Sequence, residues 1–122
     1  MEPALDELDF GDWTGRVIAD LEGNPDWTHW NTMRSQACAP RGERMTDAVA
    51  RAVTHLDTLG AGTWPGAIVC VSHSDIIRGV VAHYLGLSLD RMLAFDVDPG
   101  SITSLVVGKW GGRLLSLNVK AP

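Results

Sequence analysis

His73 is the residue of this chain best placed to do chemistry. It follows the apolar run Ala67-Ile68-Val69-Cys70-Val71, and a helical pattern begins directly after it. Ligands of open α/β sheets gather at the carboxyl ends of strands, and the free N–H groups of a helix start favour anions such as phosphate. Ser74 and Asp75 are residue types that cap such a start. From the pattern alone two roles stay open for His73: an anion-binding imidazole, or a loop histidine that only hydrogen-bonds its neighbours.

Glu7 is the second candidate. It lies in Leu5-Asp6-Glu7-Leu8-Asp9-Phe10-Gly11-Asp12-Trp13-Thr14-Gly15, a stretch of acids, aromatics and two glycines that reads as a loop entering a turn. An acid among Asp6, Asp9 and Asp12 is ordinarily a solvated loop charge, and a role in proton transfer needs a partner brought in from elsewhere. Glu43, within Pro40-Arg41-Gly42-Glu43-Arg44, reads as a surface or capping charge, and Arg78 as half of a structural ion pair. His29, His55 and His83 show no ligand-like spacing. With neither a CxxC pair nor a histidine pair at helix-face spacing, the pattern offers no metal site, and no cofactor is expected.

These residues need elements to hold them. Met45, Ala48, Val49, Ala52, Val53, Leu56 and Leu59 recur every three or four positions, which predicts a helix over 45–59 ended by Gly60. Ile76, Ile77, Val80, Val81, Tyr84 and Leu85 form a second stripe, closed by Gly86. Between them Ala67–Val71 has no polar alternation, the pattern of an interior parallel strand covered on both faces. Ile102–Val107 and Leu114–Val119 flank Gly108-Lys109-Trp110-Gly111-Gly112, which predicts an antiparallel hairpin at a sheet edge. Shorter helices are expected over 16–22 and from an Asp26 cap through Trp27 and Trp30, with a loop over 32–44. The five tryptophans are read as core and lid-packing groups. The whole is an α/β layered domain, residues 1–122. A sheet with one two-sided interior strand is short of neighbours, so part of the sheet is expected to be missing.

Composition sets outer bounds. With 45% hydrophobic and 20% charged residues the 122-residue chain is an ordinary globular sequence. A net charge of −5 disfavours nucleic acid and acidic lipid as partners. No apolar run approaches bilayer-spanning length, and Met1–Asp9 lacks a leader pattern, so a cytoplasmic location is expected. Cys38 and Cys70 are expected to be free thiols.

Four segments, in order and in register, resemble the phosphoglycerate-mutase-like branch of the histidine phosphatases. Leu5–Gly15 resembles its L-x-E-x-x-F-G-x-W-E-G, and Pro40–Arg44 its P-G-G-E-S. Val71-Ser72-His73-Ser74-Asp75-Ile76-Ile77-Arg78 is similar to V-S-H-G-D-V-I-R, and Asp98-Pro99-Gly100-Ser101-Ile102-Thr103 to the N-G-S-I-T strand start. The resemblance covers essentially the whole chain. It implies a three-layer α/β/α sheet, mostly parallel with an antiparallel edge hairpin. It also implies that Glu7 is the general acid/base, and that His73, with Ser74 beside it, binds the phosphoryl group of a small phosphorylated metabolite. Phosphoryl transfer is mainly positioning and neutralisation of charge on the equatorial oxygens, which suits those residue types.

The departures shape the expectation further. The family's nucleophilic histidine lies in an R-H-G segment at the end of its first strand, and none of the four histidines here stands in such a triplet. Ser74 replaces the usual glycine, Thr14 the glutamate of W-E-G, and Arg44 the serine of P-G-G-E-S. The chain therefore reads as the C-terminal portion of a phosphomonoester hydrolase, lacking the first strand or strands and inactive by itself. The short 30–43 loop favours hydrolysis over mutase chemistry. The alternatives are a catalytically silent remnant that binds phosphate ligands or oligomerises and, from another class, a flavodoxin-like nucleotide binder. Removal of the R-H-G strand leaves an exposed edge at Ala67–Val71, so a homo-oligomer paired there is expected.

Overall fold

The computed structural model describes residues 1–122. After a 3-10 turn at Pro3–Leu5 and another at Gly11–Trp13, the chain forms α1 (Ile18–Leu21), α2 (Pro25–Thr32), α3 (Met45–Gly60) and α4 (Ser74–Leu85). A longer 3-10 segment, Leu89–Ala94, leads into β1 (Ser101–Gly108) and β2 (Gly111–Lys120). The two strands pair antiparallel, with Gly108 opposite Gly111 around a Lys109-Trp110 turn, as the sequence predicts.

The core lies where the two long apolar stripes meet. α3 buries Met45, Ala48, Val49, Ala52 and Val53, and α4 buries Ile76, Gly79, Val80, Val81 and Ala82. Each fully buried valine or leucine is worth about 1.5–3 kcal/mol, so this seam is the main hydrophobic contribution. Gly86 ends α4 in the left-handed conformation, at φ 71°. Gly60 does not act that way: it is the last residue of α3, and Ala61 follows at φ −79°. α2 begins two residues earlier than expected, because Asn24, not Asp26, is its cap and accepts the hydrogen bond from the Asp26 N–H at 2.9 Å. The expected helix over 16–22 shortens to the single turn α1.

An aromatic cluster closes the other side of the core. Trp13 meets Trp27 and Trp30 edge to face at 5.2 and 5.8 Å, and Phe10 meets Trp30 at 6.2 Å. Such pairs add about 0.5–1.5 kcal/mol each beyond burial. Trp64 and Trp110 contradict the expectation for tryptophans, since both are exposed. Trp64 donates its indole N–H to the Leu59 carbonyl at 2.7 Å, and Trp110 covers the hairpin turn beside Gly108.

The mostly parallel sheet is not found in this chain. The only sheet is the two-stranded hairpin. Residues Ala67–Val71 have no ladder and make no backbone–backbone hydrogen bond. Val69 and Val71 are 87% and 86% exposed. A run of β-branched residues fits a strand, but a strand exists only with a hydrogen-bonded neighbour, and no segment pairs with this one.

Candidate active site

The segment carrying Glu7 and the segment carrying His73 are joined at their bases. The Ser72 hydroxyl donates to the Leu5 carbonyl at 2.7 Å, and Leu5 and Leu8 are buried on either side of Glu7. Both candidate side chains are thereby turned to the same surface, with His73 Nδ1 3.7 Å from Glu7 Oε2. Glu7 Oε1 also accepts the Leu8 N–H at 2.9 Å.

His73 is the N-cap residue of α4, and its carbonyl accepts the first helical bond, from the Ile77 N–H at 2.9 Å. Neither Ser74 nor Asp75 caps the helix, contrary to the sequence expectation. Ser74 Oγ donates instead to the Val97 carbonyl at 2.6 Å, and the Asp75 carboxylate faces two guanidinium groups. The N–H groups of Ser74, Asp75 and Ile76 consequently have no acceptor within the protein. Three unpaired donors therefore open a 12-residue helix directly after His73, and helix starts of this kind favour anions.

Two supports lie behind this helix start. Arg34 is only 4% exposed; its Nη1 lies 3.3 Å from Asp75 Oδ2, its Nε donates to the Trp30 carbonyl, and its guanidinium stands 4.7 Å from the Trp30 ring centroid. Burial pulls the Arg34 pKa below its ordinary value while Asp75 pulls it back up. Arg78 pairs with the other Asp75 oxygen at 3.4 Å and donates to the Phe95 carbonyl, the structural role expected for it. From the hairpin side, Asn118, held at φ 55°, accepts the Asp98 N–H at 2.8 Å and so fixes the stretch whose Val97 carbonyl receives Ser74. Hydrogen bonds from Asn118 and Lys120 hold the Asp98 pKa below its ordinary value.

The Pro40–Arg44 segment supports Glu7. Gly11, at φ 54°, and Gly42 pass so closely that a Cβ on Gly42 would sit 2.8 Å from the Gly11 nitrogen. The approach lets the Glu43 N–H donate to the Asp9 carbonyl at 2.8 Å and the Asp12 N–H to that of Pro40 at 2.9 Å. Glu43 is therefore half-buried and pairs with Arg51 at 2.9 Å, more than the surface charge that its sequence neighbourhood implies. The hydrogen bond from Arg51 holds the Glu43 pKa below its ordinary value. Arg51 itself escaped the sequence reading, although it lies one residue before the core position Ala52. An open cleft of about 680 Å³ borders Glu7, Asp9, Glu43 and Arg51; His73 is not part of its wall.

Among the described residues no cluster of histidine, cysteine and acidic side chains is arranged to hold a metal, and Cys38 and Cys70 are free thiols. No helix is long and apolar enough to cross a membrane.

The chain is 24% identical over 120 residues to phosphoserine phosphatase 1 of Hydrogenobacter thermophilus, an alignment covering 97% of the chain and 57% of that protein. It is 26% identical over 121 residues to the adenosylcobalamin/alpha-ribazole phosphatase of Escherichia coli, covering 98% of the chain and 60% of the relative. The chain thus spans somewhat under two thirds of the length of these relatives. Its fold matches that of Bacillus stearothermophilus YhfR with a TM-score of 0.84 at 19% identity, over 98% of the chain and 60% of that structure. The family model of the histidine phosphatase superfamily (branch 1) matches residues 1–120, and the chain belongs to that superfamily.

Proposed function

We propose that this chain carries the acid/base and phosphate-binding half of a phosphomonoester hydrolase. The observation that carries the reading is Glu7 Oε2 at 3.7 Å from His73 Nδ1, beside the three free N–H groups that open α4. In the proposed reaction these N–H groups and the His73 ring take the equatorial oxygens of a phosphate monoester, with Ser74 at the same helix start. A nucleophilic histidine, from an Arg-His-Gly segment not contained in these 122 residues, attacks phosphorus. The P–O bond to the leaving group breaks with its electron pair on oxygen, and the Glu7 carboxyl supplies the proton. Glu7, now a carboxylate, takes a proton from water as that water attacks the phosphohistidine. Orthophosphate leaves and both residues are restored.

Both curated relatives are phosphatases by name, which favours hydrolysis over transfer between two hydroxyls. The substrate class is a small phosphorylated metabolite, no cofactor takes part in these steps, and the proposed location is the cytoplasm. In a longer chain the strand ending in Arg-His-Gly would lie along Ala67–Val71; in the 122-residue chain a second copy takes that place. The test is to read the DNA upstream of Met1 for an in-frame Arg-His-Gly and to assay the longer product on p-nitrophenyl phosphate. Hydrolysis should fall steeply in Glu7→Gln and His73→Ala. Full turnover in either variant would overturn the assignment.

A further inference from the structure

Glu7 stands on a segment with almost no regular structure of its own, and one side chain grips its main chain at four carbonyls. Arg51, in the second turn of α3, donates from Nη1 to the carbonyls of Ala4 at 2.8 Å and Pro3 at 3.4 Å. Its Nη2 donates to the carbonyls of Asp6 at 2.9 Å and Glu7 at 3.3 Å. The same guanidinium is clamped from behind by Glu43, Nε to Oε1 at 2.9 Å and Nη2 to Oε2 at 3.1 Å. Glu43 Oε2 then accepts the Asp9 N–H at 3.3 Å, so the segment is gripped beyond Glu7 as well as before it.

We infer that Arg51, oriented by Glu43, is the positioning residue that sets the Glu7 carboxylate against His73. The inference rests on the acid/base reading of Glu7 given above. The geometry demands arginine. A planar fork offers donors along several directions at once, which lets it take a bidentate carboxylate on one side and a row of carbonyls on the other. A lysine ammonium has the charge but cannot reach both sets. The arrangement also differs from an ordinary surface ion pair, which contributes little: both partners are half-buried, and the pair's product is the path of a main chain. Because the Glu7 carbonyl itself is held, a small displacement of the fork is transmitted to the Cα that bears the side chain, and misplacement of a reacting group by an ångström costs on the order of a hundredfold in rate.

The experiment uses the 122-residue chain labelled with 15N and 13C and reads the His73 ring resonances and the Leu8 amide at fixed pH. Leu8 is informative because its N–H is bonded to Glu7 Oε1. Glu7→Gln defines the change expected when the carboxylate partner is lost. Arg51→Lys and Glu43→Gln, which keep the side-chain bulk, should move the His73 ring resonances in that same direction while the indole signals of Trp13 and Trp30 stay in place. If both variants keep the core signals and leave His73 where it is in the parent, while Glu7→Gln moves it, Arg51 is only a stabilising contact and the inference is overturned. If Glu7→Gln leaves the His73 ring unmoved, the Glu7–His73 pairing is itself wrong, and the positioning role falls with it. Rescue of the parent His73 signals in the Glu43→Arg/Arg51→Glu double exchange would also count against it, because the exchanged fork no longer faces the carbonyls of residues 3–7.

Discussion

Ser72 Oγ donates to the Leu5 carbonyl at 2.7 Å, and this one bond ties the start of the chain to the approach to α4. On one side of it stands Glu7, on the other His73, their side chains 3.7 Å apart. An anion seated on the free N–H groups of Ser74, Asp75 and Ile76 would meet the side chain of His73, the N-cap residue of the same helix. Orthophosphate should bind there. A hydrogen bond to a charged group is worth about 1.5–3 kcal/mol, so His73→Ala should raise its Kd on the order of ten- to a hundredfold. Isothermal titration of the parent and the variant measures this; equal affinities would remove His73 from the site.

Binding does not amount to turnover. The 122 residues contain no Arg-His-Gly, so the phosphoenzyme of the proposed mechanism cannot form within them. Incubation of this chain with p-nitrophenyl phosphate should release no more nitrophenol than a His73→Ala control. Robust hydrolysis that disappears in the control would mean that another residue serves as nucleophile.

Much of this was legible in the sequence, and what was not has a physical reason. The stripes of α3 and α4, the left-handed Gly86 and the hairpin around Lys109-Trp110 are local patterns, and local patterns survive the absence of neighbours. The Ala67–Val71 run was equally clear as a strand, but strand formation is a property of two segments, and no segment of this chain pairs with it. Arg51 could not be seen because its partners are main-chain carbonyls, which every residue possesses and no motif records. Asp75 looked like a cap from its position; the buried Arg34, far away in the chain, claims it instead.

The seam between α3 and α4 depends on one missing side chain. A Cβ at Gly79 would meet the Val49 side chain in hard overlap and lie 2.9 Å from the Met45 methyl. Glycine costs helix stability relative to alanine, so Gly79→Ala would stabilise an open helix; here overpacking should win by about 1–3 kcal/mol. Urea denaturation should show a lowered midpoint. A raised one would mean that the two helices separate without penalty.

Acid should loosen the Glu7 segment. Glu43 has its pKa lowered from 4.5 by the hydrogen bond from Arg51, with burial opposing and the Asp9 N–H assisting. A carboxylate with a depressed folded-state value contributes stability that is complete above the unfolded value and is lost as pH falls through the folded one. Stability should therefore be flat in this contribution above pH 4.5 and decline below it. Asp6 and Glu7 also face Arg51, and Asp47 shares the cleft. Melting temperatures across that range should be less steep for Glu43→Gln than for the parent. Identical slopes would show that the Glu43–Arg51 pair carries none of the acid sensitivity.

The exposed run Ala67–Val71 makes the last prediction. Its amides and carbonyls have no backbone partner, and Val69 and Val71 are 87% and 86% exposed. Such an edge is a template for another strand. A second copy supplies an identical run, and antiparallel pairing of the segment with itself is a two-fold symmetric contact. Each valine covered removes apolar surface from water at about 25 cal/mol per Å², and the paired backbone groups add ladder bonds of about 0.5–1.5 kcal/mol each. The chain should therefore elute as a dimer in size-exclusion chromatography with light scattering, and the amides of 67–71 should be slow to exchange. Val69→Lys with Val71→Lys should shift it toward monomer, since charges on an edge oppose pairing. A parent that is already a stable monomer, with fast exchange at 67–71, would show that the edge stays open.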